Sequence, residues 1–344
     1  MRVLFQLGHP AHFHLFKNTI ADLQRDGHET FILIRKKDIL EDLLKKSGMT
    51  YINILPSGKK SVLTLMLRLW RVFWFTLTHR VDVLVGSTPE VAQVAWLLRR
   101  RSVVMAEDDA SIVPQFIKVV KPFVDNYLSP VSCNNGVLER ATTHYEGFHK
   151  LAYLHPNRFS PDSAVVDKYF DHSNPYFLLR FAQLNAYHDV SANAHGINDK
   201  IAVKLIEILS PHGKVFITSE RELSPELECY RLNINPLDIH HLMAFATLYI
   251  GDSQSMAVEA AMLGTPSIRF NDFAGKIGVL EELEKKYQLT IGIPSSDPER
   301  LYNTVKEMID TDNLREVYQA RRQQMLEDKI DVATFFTDFI ERLT

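Results

Sequence analysis

Only two cysteines, Cys133 and Cys229, occur in 344 residues. Their spacing offers no metal site, and so few in a chain this long fit a reducing compartment. An excess of positive charge is also missing. Lys and Arg number 39 against 42 Asp and Glu, for a net charge of -3 and a pI near 6.5. That argues against nucleic acid as the main partner, because such proteins carry a basic patch and a high pI. No apolar run reaches the about 20 residues a spanning helix needs; the longest candidate, 62–77, is broken by Arg68 and Arg71. The first residues, Met1–Leu7, are too short an apolar run for a signal peptide, and His9-Pro10 follows at once. Short repeats and low-complexity tracts are absent. With 46% hydrophobic and 24% charged residues, the chain reads as a cytoplasmic globular protein whose length suggests two domains.

The segment 62–77 supports two readings. Trp70, Phe73, Trp74 and Phe75 make it a candidate buried helix of the first domain. Together with Arg68 and Arg71 they also make a basic-aromatic face that could rest on the inner face of a membrane.

Elsewhere strand and helix patterns alternate. Arg2–Leu7 reads as a strand, His14–Arg25 as a helix with Phe16, Ile20 and Leu23 on one face, and Glu29–Ile34 as a second strand. Val81–Val85 and Val103–Ala106 read as strands around a helix at Pro89–Leu98. Continuous β-branched runs of this kind suit parallel strands covered on both faces. The stretch 154–175 is rich in proline and polar residues and reads as a linker. The alternation then restarts with strands at Tyr176–Leu179, Lys214–Thr218, Leu248–Ile250 and Ser267–Phe270, and helices at Asn198–Leu209, Pro236–Phe245 and Gln254–Leu263. The expectation is an α/β protein of two doubly wound, Rossmann-like domains with a cleft between them. The expected ranges are 1–165, 166–325, and a C-terminal helix, 326–344, that crosses back to the first domain.

The stretch "GDSQSMAVEAAMLGTP", 251–266, holds a βα turn at the carboxyl end of a strand, where ligands of open α/β sheets bind. Free amides at a helix start favour a phosphate, and Asp252, Ser253 or Ser255 suits the cap. Glu259 stands alone among Met, Ala, Val and Leu. A capping box would place it three residues after a capping serine, and it is not there. A helical side chain leans toward the N-terminus, so this carboxylate points at whatever the turn holds; beside a phosphate, that suggests a ribose. The alternative is a structural pair with Arg269.

"DSQSMAVEAAMLGTP" resembles the nucleotide-binding motif of GT-B fold proteins. It is most similar to that of bacterial non-hydrolysing UDP-N-acetylglucosamine 2-epimerases, in which a Ser-Gly-Gly turn precedes a helix carrying a Glu and then Gly-x-Pro. The resemblance implies that Ser253, Gln254 and Ser255 hold a diphosphate and that Glu259 binds the ribose. Gln254-Ser255 stands where that family has two glycines. The whole chain also resembles domain of unknown function family 354, through "HPAHFHLFKN", "GHE", "EGFHKLAYLHPNRFSP", "AYHD", "ITSERE" and the 251–266 motif. That resemblance implies the fold and a glycosyltransferase-like activity.

Three further clusters carry chemistry. His9, His12 and His14 crowd the first βα turn, without the cysteine or spaced carboxylate a zinc site needs. Some of them cap or pack, and His12 is the functional candidate. Glu107, Asp108 and Asp109 follow a strand; adjacent carboxylates are costly unless solvated, paired or used, and one of them suits a general base. Arg180 ends the first strand of the second domain, where a fixed cation meets a diphosphate; the epimerase resemblance implies the same role. His188 and Asp189 form a His–carboxylate pair or cap, while Ser219, Glu220 and Arg221 follow the next strand and face the same cleft; Ser219 and Glu220 are candidates for nucleotide binding, and a surface ion pair is the alternative.

The leading expectation is a metal-free, cofactor-free glycosyltransferase of GT-B type in surface polysaccharide or glycan biosynthesis. It would take a UDP-sugar as donor on the second domain and a glycan acceptor on the first. Alternatives are a UDP-sugar 2-epimerase and a non-catalytic nucleotide-sugar binding protein. A homodimer stays open.

Overall fold

The β-branched runs form two separate parallel sheets in the computed structural model, which describes residues 1–35, 39–55, 62–182 and 196–343. His188 and Asp189 lie outside the described residues. The first unit comprises Met1–Arg158 and Lys329–Thr344, the second Phe159–Asp328.

In unit 1, β1 (Arg2–Leu7), β2 (Glu29–Arg35), β3 (Ile52–Leu55), β4 (Val83–Gly86), β5 (Arg101–Met105), β6 (Asn126–Pro130) and β7 (Thr142–Tyr145) pair in the order β3-β2-β1-β4-β5-β6-β7. The winding reverses between β1 and β4. Right-handed crossovers then put α1 (Pro10–Arg25) and α2 (Leu40–Lys46) on one face, and α3 (Val62–Thr78), α4 (Pro89–Leu98) and α5 (Pro114–Val120) on the other. Helix α1 starts four residues before the apolar pattern does, because the His9 imidazole accepts the Ala11 amide and Pro10 occupies the first turn. Gly86 is fixed by crowding: a Cβ there would lie 2.8 Å from the Gln6 carbonyl on the neighbouring strand.

The chain leaves unit 1 after the short α6 (Leu151–Leu154) and re-enters as α15 (Val332–Glu341), which packs on α1 and α6. Arg158 clasps exit and re-entry. Its guanidinium lies 2.7 Å from Asp22 on α1, 2.7 Å from Asp331 at the cap of α15, and 2.7 Å from the Thr334 hydroxyl. Phe336 and Ile340 are fully buried on α15, each contributing about 1.5–3 kcal/mol by leaving water.

Unit 2 holds β8 (Tyr176–Phe181), β9 (Lys214–Ser219), β10 (Leu248–Gly251), β11 (Ser267–Phe270) and β12 (Ile291–Ile293) in the order β12-β11-β10-β8-β9, reversing between β8 and β10. Its helices are α7 (Ser163–Val166), α8 (Asp199–Leu209), α9 (Pro225–Glu228), α10 (Ile239–Phe245), α11 (Gln254–Leu263), α12 (Gly278–Lys285), α13 (Pro298–Ile309) and α14 (Leu314–Asp328). The stretch expected to be an open linker is partly built into this unit. Phe159 packs its ring on His241, and the Asp162 amide donates to the same imidazole at 3.0 Å. Unit 2 therefore begins before the boundary expected at 166.

Helix α3 corrects the reading of a buried helix. Val72 and Thr76 are buried, whereas Leu63, Met66, Trp70 and Trp74 are more than half exposed. The basic-aromatic face also changes. Arg68 turns inward to pair with the buried Glu90, and Arg71 donates to the Ile54 carbonyl.

Candidate functional site

Each sheet reverses its winding at one point, and the crevice outside the strand carboxyl ends there is where open α/β sheets bind ligands. In unit 2 this point lies between β8 and β10. Arg180 of β8 stands opposite Gly251 of β10. Gly251 has no room for a side chain, since a Cβ would meet the Tyr249 hydroxyl at 2.4 Å and the Arg180 Cβ at 2.9 Å.

Asp252 follows. Its carboxylate accepts the Ala182 amide at 2.6 Å and the Ile197 amide at 3.2 Å, and its carbonyl accepts the Asn271 side-chain amide at 3.1 Å. Burial raises its pKa to about 6, against the pull of these amides and of Arg221 and Arg180. Asp252 thus ties the ends of β8, β10 and β11 together rather than capping the helix. Ser253 is the cap: its hydroxyl accepts the Met256 amide at 3.4 Å. Gln254 is half-buried and Ser255 exposed in the first turn, and Gly264, at φ 67°, closes the helix.

Glu259 is buried one turn in, its carboxylate 3.3 Å from the His240 ring on α10. The proposed Arg269 pair is not formed. Arg269 is wholly buried on β11 and reaches Glu284 of α12 at 3.5 Å. On the other side of β8, Arg180 pairs with Glu220, and its buried Nε has no hydrogen-bond partner among the described residues. The Ser219 hydroxyl is engaged within its own turn, donating to the Arg221 carbonyl at 2.7 Å and accepting its amide at 3.1 Å. Arg221 donates to the Ile197 carbonyl and lies over the Phe181 ring at 5.1 Å.

In unit 1 the reversal brings together the turns after β1 and β4. The Gly8 amide donates to Nδ1 of His12 at 3.1 Å, so in the neutral ring the proton sits on Nε2. His9 caps α1, and His14 is buried with its ring 5.2 Å from that of Tyr153. Ser87 and Thr88 close β4, and their buried hydroxyls have no hydrogen-bond partner among the described residues. A Cβ at Gly8 would touch Thr88 at 3.4 Å. Neither hydroxyl was singled out from the sequence; the signal was Ser-Thr-Pro directly after an apolar strand, the start of a helix at a strand's carboxyl end.

The acidic turn after β5 separates into three roles. Glu107 accepts the His149 amide at 2.6 Å and pairs with Lys150. Burial raises its pKa, but the Lys150 ammonium and His149 outweigh burial and leave it below the usual value. His149 itself is held near pKa 4 by burial and is neutral at pH 7. Asp109, also buried, accepts the Asn134 amide at 2.7 Å and tethers the turn after β6. Asp108 is half-buried, and its charge adds to the burial that raises the Tyr127 pKa. A carboxylate held ionised by an ammonium is a poor proton acceptor, which counts against Glu107 as a general base.

Two parallel, doubly wound units make this an α/β protein, and its fold is that of GT-B proteins. The chain belongs to the family described as Protein of unknown function (DUF354), which matches residues 1–340. No curated protein matches it. Among solved structures it is similar to MnaA of S. aureus in a co-structure with UDP, at 12% identity and a TM-score of 0.66 over 96% of this chain and 92% of that one. It is equally similar to the spinosyn forosaminyltransferase SpnP, at 14% identity and a TM-score of 0.66 over 100% and 98%. The UDP-GlcNAc 2-epimerase of Neisseria meningitidis bound to UDP-GlcNAc gives 11% identity and a TM-score of 0.62 over 95% and 99%. At such identities the likeness shows the fold alone.

Proposed function

We propose that this chain is a glycosyltransferase that takes a nucleotide sugar, with UDP as the expected nucleotide, and transfers the sugar to a glycan acceptor in surface polysaccharide or related glycan synthesis. The observation that carries the reading is the β8/β10 rim. There a half-buried arginine, whose buried Nε has no hydrogen-bond partner among the described residues, stands beside the start of α11, and a buried carboxylate, Glu259, lies one turn inside it. The Ser253–Ser255 turn and Arg180 hold the diphosphate, whose departure they stabilise as it gains charge. Glu220 fixes Arg180, and Glu259 accepts the ribose hydroxyls. Ser219 supports the rim through its own turn. On unit 1, His12 donates to the acceptor and Asp108 takes its proton. Glu107 and Asp109 hold the turn that carries Asp108.

Finer partner readings are a homodimer and contact of unit 1 with the inner face of a membrane through 62–77. A second functional reading, a UDP-sugar 2-epimerase, is supported by the likeness of the 251–266 turn to that family's motif. A third is a binding protein without turnover. Incubating purified protein with UDP-sugars, with and without an acceptor panel, separates them. Transfer only with acceptor supports the proposal, epimer formed without acceptor overturns it, and binding with neither product assigns the third reading.

A further inference from the structure

All three tryptophans of the chain lie on one side of unit 1, and all three are exposed: Trp70 by 57%, Trp74 by 53% and Trp96 by 58%. Trp70 and Trp74 stack on the outer face of α3, in a stripe continued by Leu63, Leu67 and Leu77 at helical spacing. Trp96 and Leu97 end the neighbouring α4, and Val119 ends α5. Exposed large apolar side chains thus stand on three adjacent helices, where a soluble surface normally places charge.

The border of this face is basic. Helices run antiparallel to the strands they follow, so the last turns of α3, α4 and α5 share the edge opposite the candidate site of unit 1. There Arg80, Arg99, Arg100, Lys118 and Lys121 are exposed. No acidic residue occurs between Asp42 and Asp82, between Glu90 and Glu107, or between Asp109 and Asp125. Of the acids that border these stretches, Glu90 is buried against Arg68, and Asp125 lies 3.6 Å from Arg101.

We infer that this surface docks on an anionic lipid bilayer, with the α3 stripe and Trp96 entering the interface and the cations meeting the headgroups. Aromatic rings with an apolar body and a polar N–H favour that depth, and cations near an anionic leaflet add attraction. The charge argues against a second copy as the occupant, since a two-fold contact would bring these cations face to face. The inference deepens the membrane reading of 62–77: insertion is apolar, and the attracting cations lie chiefly at the helix ends rather than at Arg68, which is turned toward Glu90. It stands apart from the nucleotide reading, and either can fail alone.

Because every tryptophan sits on the surface, intrinsic fluorescence reports it directly. With phosphatidylglycerol-containing vesicles the emission should shift to the blue and be quenched by brominated lipid, and the protein should float with the vesicles. Trp70→Glu with Trp74→Glu should abolish flotation at an unchanged melting temperature. Arg99→Gln with Arg100→Gln should weaken binding by about five-fold per cation removed. No shift at low salt overturns the inference, as does equal binding to pure phosphatidylcholine. A lipid-independent shift that grows with protein concentration and tracks a dimer mass would also overturn it, assigning the face to a second copy.

Discussion

At the β8/β10 reversal the polar groups are charged and mutually engaged: Arg180 with Glu220, Arg221 with the Ile197 carbonyl, and Asp252 with two backbone amides. At the β1/β4 reversal they are the His9 and His12 imidazoles, the hydroxyls of Ser87 and Thr88, and the guanidinium of Arg35, which reaches the Gly8 carbonyl at 3.4 Å. Fixed cations beside a helix start suit an anion. Imidazole and hydroxyl groups suit a neutral polyol and a travelling proton. The two units share a winding rule and differ in what the rule displays. Their buried carboxylates show the same contrast. Glu107 has an ammonium beside it and is lowered, whereas Asp252, among the described residues, has amides in contact and more distant arginines, and is raised to about 6.

The contrast can be tested from its strongest consequence downward. If Asp108 moves a proton, Asp108→Asn should cut turnover by about 10²–10⁴-fold while nucleotide affinity stays near normal. An equal loss in both would return the residue to a structural role. Next, Glu107→Gln removes a counter-charge of the half-buried Lys150, so stability should fall by up to about 3–5 kcal/mol, the range for breaking a buried pair. Denaturant unfolding of this variant, of Lys150→Met and of the double variant should show the double less damaged than the sum of the singles.

Asp252 gives the opposite sign with pH. Its native pKa lies above the ordinary carboxylate value, so its stabilising share is full below about pH 4 and is lost as pH rises through about 6. The difference is worth about 3 kcal/mol. Asp252→Asn should therefore flatten the pH dependence of unfolding between pH 4 and 7; an unchanged slope would exclude Asp252 as its source.

Glu259→Ala should weaken nucleotide diphosphate binding roughly ten- to a hundredfold, because hydrogen bonds to a charged group contribute about 1.5–3 kcal/mol. Glu259→Gln should lose less. If calorimetry finds affinity intact and melting lowered, the contact with His240 is the carboxylate's whole purpose. Smallest is Ser253→Ala, which removes a cap worth about 1 kcal/mol and should lower the helix's stability and phosphate affinity together.

The sequence reveals these regions unequally, for physical reasons. Strands such as β4 and β5 are legible because a parallel strand covered on both faces must be apolar throughout. β12, at three residues, carries too little pattern to be read. The 251–266 turn is legible because strand end, cap and helix stop lie next to one another. Asp252 shows its role only once Ala182 and Ile197 come beside it, and Glu107 only once Lys150 does. The orientation of Arg68 depends on Glu90, on another helix, so a local reading placed that charge on the wrong side of α3.

The clasp at Arg158 also bears on the order of synthesis. Asp22 is made early, Arg158 midway, and Asp331 and Thr334 only after all of unit 2 has left the ribosome. Until then the faces of α1 and α6 that α15 covers stay open, and unit 1 holds an incomplete core while unit 2 already has every residue it needs. The unit begun first is the unit finished last. A growing chain therefore carries an apolar groove open to chaperones through the translation of its second half.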